Sequence, residues 1–228
     1  MTRRTTVVLS VLAAIVVIGG GAVLAYATPL MSVRNVAVVG AAGVDENRIR
    51  EVAQAPSGRP LLQVDTGEIA SRVAAIPEIE EVTVSRHYPS TLTIEVTERR
   101  PLVTVEYEDG VGVLDRLGVV YLTFPKRDAM PRPLAALPEM RVDRPGAEDP
   151  TTEAVLTVVS ELPRWLADRT ATVEASSPAD ITLVLRSGRR VVWGDAERTA
   201  DKAAALREVT RIPGEEFTVS SPEFPAVR

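Results

Sequence analysis

EVTVSRHYPSTLTIEVTERRP, residues 81–101, is the stretch on which the fold turns. Val82 and Val84 alternate with Thr83 and Ser85, His87-Tyr88-Pro89-Ser90 interrupts the run, and Leu92, Ile94 and Val96 then alternate with Thr91, Thr93, Glu95 and Thr97. A period of two on both sides of a turn predicts a β-hairpin with one apolar and one polar face. The apolar face needs a cover.

Two upstream helices supply it. Asp45 has N-cap character, with Val44 and Ile49 in the positions of a hydrophobic staple. Ile49, Val52 and Ala53 share a helical face that ends at Pro56-Ser57-Gly58. Asp65 and Glu68 repeat the start signal with Val64 and Ile69 as staple, and the stripe Ile69, Val73, Ile76 stops at Pro77. Ahead of both, Val36, Val38 and Gly40 alternate with Ala37 and Val39 in a run apolar on both sides, as expected of a strand covered by helices. The order strand, helix, helix, strand, strand buries its apolar surfaces by laying both helices on one face of a three-stranded sheet.

Toward the N-terminus, residues 5–33 contain no charged side chain. Their centre, VVLSVLAAIVVIGGGAVLAY at 7–26, would span the roughly 30 Å hydrocarbon core of a bilayer as a helix rising about 1.5 Å per residue. A transmembrane helix is therefore expected at 7–27, after a tail of residues 1–6. Arg3 and Arg4 precede the run and only Arg34 follows closely, which places the N-terminus in the cytoplasm and the rest outside. Ala25-Tyr26-Ala27 has the form of a signal-peptidase site, and Arg3-Arg4 that of a twin-arginine start. The apolar run exceeds the roughly 7 to 15 residues of a signal core, so an uncleaved anchor is the expectation. Gly19-Gly20-Gly21 allows close helix packing but forms no repeated small-xxx-small pair.

Composition excludes several classes of function. With Arg3 and Arg4 set aside, 24 basic residues face 31 acidic ones, and no basic stripe offers a nucleic-acid surface. The chain has no cysteine, so disulfides, thiolate chemistry and zinc-thiolate sites are ruled out.

The second half opens with three short strand candidates at 102–106, 111–115 and 119–123, separated by turns at Asp109-Gly110 and Gly118, which predicts a meander. Residues 125–150 hold six of the 17 prolines and no sustained period, so a surface crossing is expected there. Thr151 or Thr152 should cap a helix with the stripe Val155, Val158, Val159, Leu162, ending at Pro163. A strand begins at Val173. Ile181, Leu183 and Leu185 then turn at residues 186–189 into 191–193, the clearest hairpin of this half. A helix at 197–210 should place Ala196, Ala200, Ala203 and Leu206 on one side, before a final strand at 216–220.

No constellation for catalysis is present. His87 is the only histidine and sits in a turn. There is no Gly-x-Ser-x-Gly elbow, no His-Glu-x-x-His and no phosphate-cradling glycine loop. Glu78, Glu80 and Glu81, and likewise Glu106, Glu108 and Asp109, read as solvated faces beside turns. Trp165 and Trp193 read as packing residues. No cofactor and no metal site is expected. Binding remains, and the terminal strand 216–220 is the candidate open edge for a guest strand. The alternative is an ordinary last strand blunted by Pro222 and Pro225.

Several motifs are similar to the FtsQ/DivIB family of bacterial cell-division proteins. They are Gly58-x-x-Leu61-Leu62-x-x-Asp65, Ile76-Pro77-x-Ile79, and the Arg86-x-Tyr88-Pro89 turn running into a strand that ends Glu98-Arg99-x-Pro101. The second half adds Leu114-Asp115-x-x-Gly118-Val119-Val120, Leu183-x-Leu185-x-x-Gly188-x-x-Val191-x-Trp193-Gly194, Lys202, Leu206, Val219-Ser220-x-Pro222 and Arg228. Thr218 departs from the pattern, standing where the family commonly has an acid. The resemblance implies an α+β chain: one transmembrane helix, a POTRA domain at 32–100 and a mainly antiparallel β domain with flanking helices at 101–228. It further implies a non-enzymatic scaffold in the plasma membrane at the division septum. By that likeness the last strand and the preceding helix dock a bitopic coiled-coil protein of the FtsB/DivIC type, which travels with an FtsL-type protein. Lys202, Phe217, Thr218, Val219 and Ser220 are then the candidate contact residues, with the POTRA unit making a second set of contacts near the membrane. The rival readings are a membrane-tethered cell-wall hydrolase and an exported POTRA module that handles unfolded chains. The latter calls for repeated POTRA units or a barrel-forming segment, which this sequence lacks.

Overall fold

The computed structural model describes residues 11–17, 19–20 and 31–228. The membrane helix expected at 7–27 lies largely outside the described residues. Residues 11–17 are helical, and among the described residues no helix is long and apolar enough to cross a membrane. The chain divides between Arg99 and Arg100 into two compact units.

The first unit runs β1 (Asn35–Val39), α1 (Glu46–Ala53), α2 (Thr66–Ala74), β2 (Ile79–His87), β3 (Thr91–Glu98). Its sheet has the order β1-β3-β2, with β1 parallel and β2 antiparallel to the central β3. Both caps form as the sequence predicts: Asp45 accepts from the Asn47 N–H at 2.8 Å and Asp65 from that of Glu68 at 3.0 Å. Leu92, Ile94 and Val96 of β3 meet Ile49, Ile69 and Val73 of the helices in one buried cluster. β1 is not the doubly covered strand its apolar run suggested. Among the described residues it pairs only with β3, none of its residues is fully buried, and Val39 is 50% exposed. Two helices on one face leave the other face of an edge strand to water.

Two residues of the hairpin motif hold this unit together by reaching for backbone. Arg86 donates from Nε to the Leu61 carbonyl at 2.9 Å and from Nη2 to that of Val64 at 2.7 Å, pinning the turn that leads into α2. The Glu98 carboxylate accepts N–H groups from Ala42 at 2.8 Å, Gly43 at 2.9 and 3.0 Å, and Val44 at 2.8 Å. That fixes the β1–α1 loop.

The second unit runs β4 (Val103–Tyr107), β5 (Gly110–Leu114), β6 (Val120–Phe124), α3 (Arg132–Ala135), β7 (Glu139–Arg141), α4 (Pro150–Glu161), α5 (Arg164–Ala167), β8 (Thr170–Ser177), β9 (Asp180–Leu185), β10 (Arg190–Gly194), α6 (Thr199–Val209), β11 (Glu216–Thr218), β12 (Ala226–Val227). One nine-stranded sheet has the order β12-β11-β10-β9-β8-β7-β4-β5-β6. Neighbours are antiparallel except at β4/β7, β7/β8 and β10/β11. The meander and the hairpin form where alternation predicted them. Inward side chains of β4 and β8–β11 pack with Val155, Val158 and Leu206 of α4 and α6. A smaller cluster of Val111, Val113 and Met130 covers the other face of the meander.

Three expectations are corrected here. The proline-rich crossing contains β7, which lies in the middle of the sheet with Met140 only 1% exposed; three residues are too few to show a period. Asp149, not Thr151 or Thr152, caps α4, accepting from the Thr152 N–H at 2.7 Å and its hydroxyl at 2.9 Å, with Pro150 as first helical residue. The buried face of α6 is Thr199, Lys202, Ala203, Leu206 and Val209, while Ala200 is exposed. The expected Ala203 and Leu206 lie on this face and Ala196 packs against the same core, so Ala200 alone is misplaced.

Candidate interaction edge

β10 leads through a turn at Gly194 into α6, and β11 returns beside β10 in parallel, with Val191 opposite Phe217 and Val192 opposite Thr218. The Arg190 N–H donates to the Glu215 carbonyl at 2.9 Å and that of Val219 to the Val192 carbonyl at 3.0 Å, so the pairing runs slightly past the strand at both ends. Alternation sends Phe217 and Val219, both 0% exposed, into the core. Thr218 is half-buried and Ser220 is exposed.

The sequence placed an open edge at 216–220, and the structure overturns this. After a turn at 221–224 the chain doubles back as β12, antiparallel to β11, with Phe217 opposite Val227 and Thr218 opposite Ala226. Glu216 and Arg228 exchange N–H···O bonds of 3.1 and 2.8 Å, and the Glu215 N–H reaches the Arg228 carbonyl at 2.8 Å. β11 thus has its own strands on both sides, and β12 forms the sheet's rim. Two residues carry no readable alternation, and Pro222 and Pro225 pointed to a blunted end rather than a returning strand.

Lys202 is also not where a contact residue would sit. It is 2% exposed, and its ammonium donates to Asp195 Oδ1 at 2.6 Å and to the Asp195 carbonyl at 3.0 Å. The Lys202 ammonium holds the Asp195 carboxyl below the ordinary aspartate range. This pair fixes the turn between β10 and α6. Gly194 brings Ser220 to the same place, since a Cβ on Gly194 would stand 2.9 Å from that of Ser220. The structure therefore gathers Lys202, Asp195 and Ser220 around one turn, with Phe217 and Val219 beneath β11 as support.

Asp195, Arg198 and Glu223 were not anticipated. Arg198 precedes α6 in the left-handed region, φ 55°, and its guanidinium meets Asp201 at 3.0 Å and Glu223 at 2.6 Å. Arg198 in turn lowers the Glu223 pKa. Between the outer face of α6 and the tail lies a shallow groove of about 590 Å³, lined by Ala204, Ala205, Arg207, Glu208 and Pro222 among others. The motif residues Trp193-Gly194, Lys202 and Val219-Ser220-x-Pro222 pointed to this corner, but not to Asp195, Arg198 or Glu223. Trp193 itself is 0% exposed and belongs to the core, whereas Trp165 lies under the guanidiniums of Arg207 at 5.4 Å and Arg169 at 5.9 Å. Among the described residues no group of histidine or acidic side chains is placed to hold a metal ion.

Comparison with known proteins agrees with this architecture. Residues 31–99 match the model of the FtsQ-type POTRA domain, and residues 103–216 match that of the C-terminal region of cell division protein FtsQ/DivIB. Relatives described as cell division protein FtsQ include that of Mycolicibacterium smegmatis, 44% identical over 205 residues, which are 90% of this chain and 60% of the relative. The Mycobacterium tuberculosis protein is 40% identical over 219 residues, 96% of this chain and 67% of its own. That of Corynebacterium glutamicum is 32% identical over 228 residues, 97% of each chain. The chain thus spans about three-fifths of the M. smegmatis relative and nearly the full length of the C. glutamicum one. With both of its units matched in order, the chain belongs to the FtsQ/DivIB family.

Proposed function

We propose that this chain is a non-catalytic, membrane-anchored scaffold of cell division. Residues 7–27 hold it in the plasma membrane with the N-terminus inside. Its two units stand outside, at the septum, where they bind FtsB/DivIC-type and FtsL-type bitopic proteins. Anchoring raises the effective concentration of these surfaces for other anchored proteins without any new contact.

The observation that supports this reading is the C-terminal rim of the large sheet, formed by a short strand whose preceding turn, at Pro222 and Glu223, lines the groove on α6. Sheet rims accept extended segments through backbone hydrogen bonds. Lys202, Phe217 and Val219 act here as the support of the recognition edge, and Thr218 and Ser220 as its accessible part.

Deleting residues 216–228 in cells tests it. The shortened chain should still reach the membrane, lose its coiled-coil partner on co-purification, and leave cells long and undivided. Retention of the partner by the shortened chain would refute the assignment.

A further inference from the structure

We propose that the end of the first unit where the chain enters its sheet rests in the headgroup layer of the bilayer, with Leu62 and Tyr88 dipping into the apolar boundary and Arg34 and Arg59 meeting anionic phospholipid. This rests on the anchor at residues 7–27 in the scaffold reading above, and adds a second contact of the chain with the membrane.

The entry is clamped without slack. Ser32 bridges to Pro60, the Val33 N–H donates to the Arg59 carbonyl at 2.9 Å, and the Gly58 N–H donates to the Val33 carbonyl at 2.8 Å. The Arg34 and Asn35 N–H groups both donate to the Ser90 carbonyl, at 2.9 and 3.1 Å. Val33 is buried, so the folded unit begins where the uncharged run 5–33 ends. The five steps from Ala27 to Ser32 reach at most about 18 Å when fully extended. The headgroup layer itself is roughly 5 to 8 Å deep. An anchor ending at 27 therefore delivers this end of the sheet to the membrane surface.

Three segments meet there: 31–36, 56–64 and the β2–β3 turn with its flanks, 86–92. Asn35 and His87 both pair with Thr91, and Arg86 grips the Leu61 and Val64 carbonyls. Together they carry Arg34, Arg59, Arg86 and His87 and no acid. Asp65, next in the chain, is engaged as the cap of α2. Glu78, Glu80, Glu81 and Glu98 stand at the opposite end of the sheet, where β2 starts and β3 finishes. A unit polarised in this way turns its basic end toward an anionic surface.

Two large apolar side chains project from the same basic end. Leu62 is 47% exposed and Tyr88 53%, while Leu61 and Val64 on either side of Leu62 are buried in the core. At a bilayer boundary a tyrosine ring lies at headgroup level with its hydroxyl wet, and a leucine reaches the acyl chains. Arginine stems lie along the apolar layer while their guanidiniums meet phosphate. A lone anchor is a pivot. Contacts from three clamped segments set the direction in which the unit points away from the membrane.

The chain has no cysteine, so single cysteines placed in the full-length protein report one position at a time. Leu62→Cys, Tyr88→Cys and, at the acidic end, Glu81→Cys each carry a bimane label in vesicles of phosphatidylcholine and phosphatidylglycerol. Nitroxide-bearing lipid should quench the labels at 62 and 88 at least about threefold more than the one at 81, and aqueous iodide should do the reverse. With Arg34→Gln and Arg59→Gln added, or in phosphatidylcholine alone, lipid quenching at 88 should fall by about half. Unchanged quenching in both would overturn the assignment to anionic lipid. Labels at 62 and 88 as open to iodide as that at 81 would overturn the contact itself. So would shielding from iodide without lipid quenching, which puts protein on this face. Alkaline carbonate tests the anchor separately: a chain washed off the vesicles refutes the anchored reading, whereas a retained chain with wet labels refutes only this contact.

Discussion

Lys202 holds Asp195 at two points, 2.6 Å to the carboxylate and 3.0 Å to the backbone carbonyl, from a position that is 2% exposed. The ammonium is desolvated while the Asp195 side chain stays half in water, so the pair is a hinge pin rather than a surface bridge. Lys202→Met keeps the packed stem and removes the donor, and should cost about 1–3 kcal/mol by urea unfolding of the second unit. Asp195→Asn leaves the buried ammonium with neutral acceptors only and should cost at least as much. The ammonium lowers the Asp195 pKa, so its contribution is complete above the ordinary aspartate range and fades as pH falls through the depressed value. The Asn variant should therefore show a shallower acid limb than the parent.

Glu98 should behave similarly in the first unit. Burial pushes its carboxyl upward, but the N–H groups of Val44, Ala42 and Gly43 together pull it below the ordinary glutamate value. Its stabilisation is thus present at neutral pH and lost on acidification through that lowered value. Glu98→Gln keeps the shape but loses the charge and half of the acceptor capacity. A cost of about 2 kcal/mol at pH 7, shrinking toward pH 3, is expected in denaturant titrations that follow the first unit.

Met140→Ala addresses the strand hidden in the proline-rich crossing. At 1% exposure it should cost about 2–5 kcal/mol, as large-to-small core changes do. A surface crossing would tolerate the same change within about 0.5 kcal/mol, so thermal unfolding separates the two.

Gly214→Ala addresses the tail's seat. The added methyl collides with Val227 and with the Arg228 carbonyl, so β12 should lift while β11 stays paired to β10. Hydrogen exchange should quicken at the Glu216 and Arg228 amides, which bond across β11 and β12, and remain unchanged at Val219, which bonds to Val192.

The first unit was nearly all legible because each element is long enough to declare its period and each helix begins with an acid that truly caps it. β8, β9, β10 and the meander were legible for the same reason. β7 and β12 were not, with three and two residues, since tertiary pairing rather than local pattern creates them. The site suffered most from this. A lysine on a helix next to an apparent last strand reads as surface, and only the fold shows that its stem packs inward and its charge is met by Asp195. The motif residues Arg86 and Glu98 were recognised as a pattern, but their work, gripping backbone of distant loops, is visible only in three dimensions.

β7 has a mechanical consequence. It joins the meander to the rest of the sheet through a single register pair, Thr104 with Glu139, whereas β8 and β9 share six. Arg127 spans this seam, reaching Thr104 at 3.2 Å, the Leu137 carbonyl at 2.7 Å and Glu139 at 3.7 Å. Under tension applied across the strands, the sheet should part between β4 and β7 before its hairpins unzip, with one guanidinium as the rivet that sets the yield point.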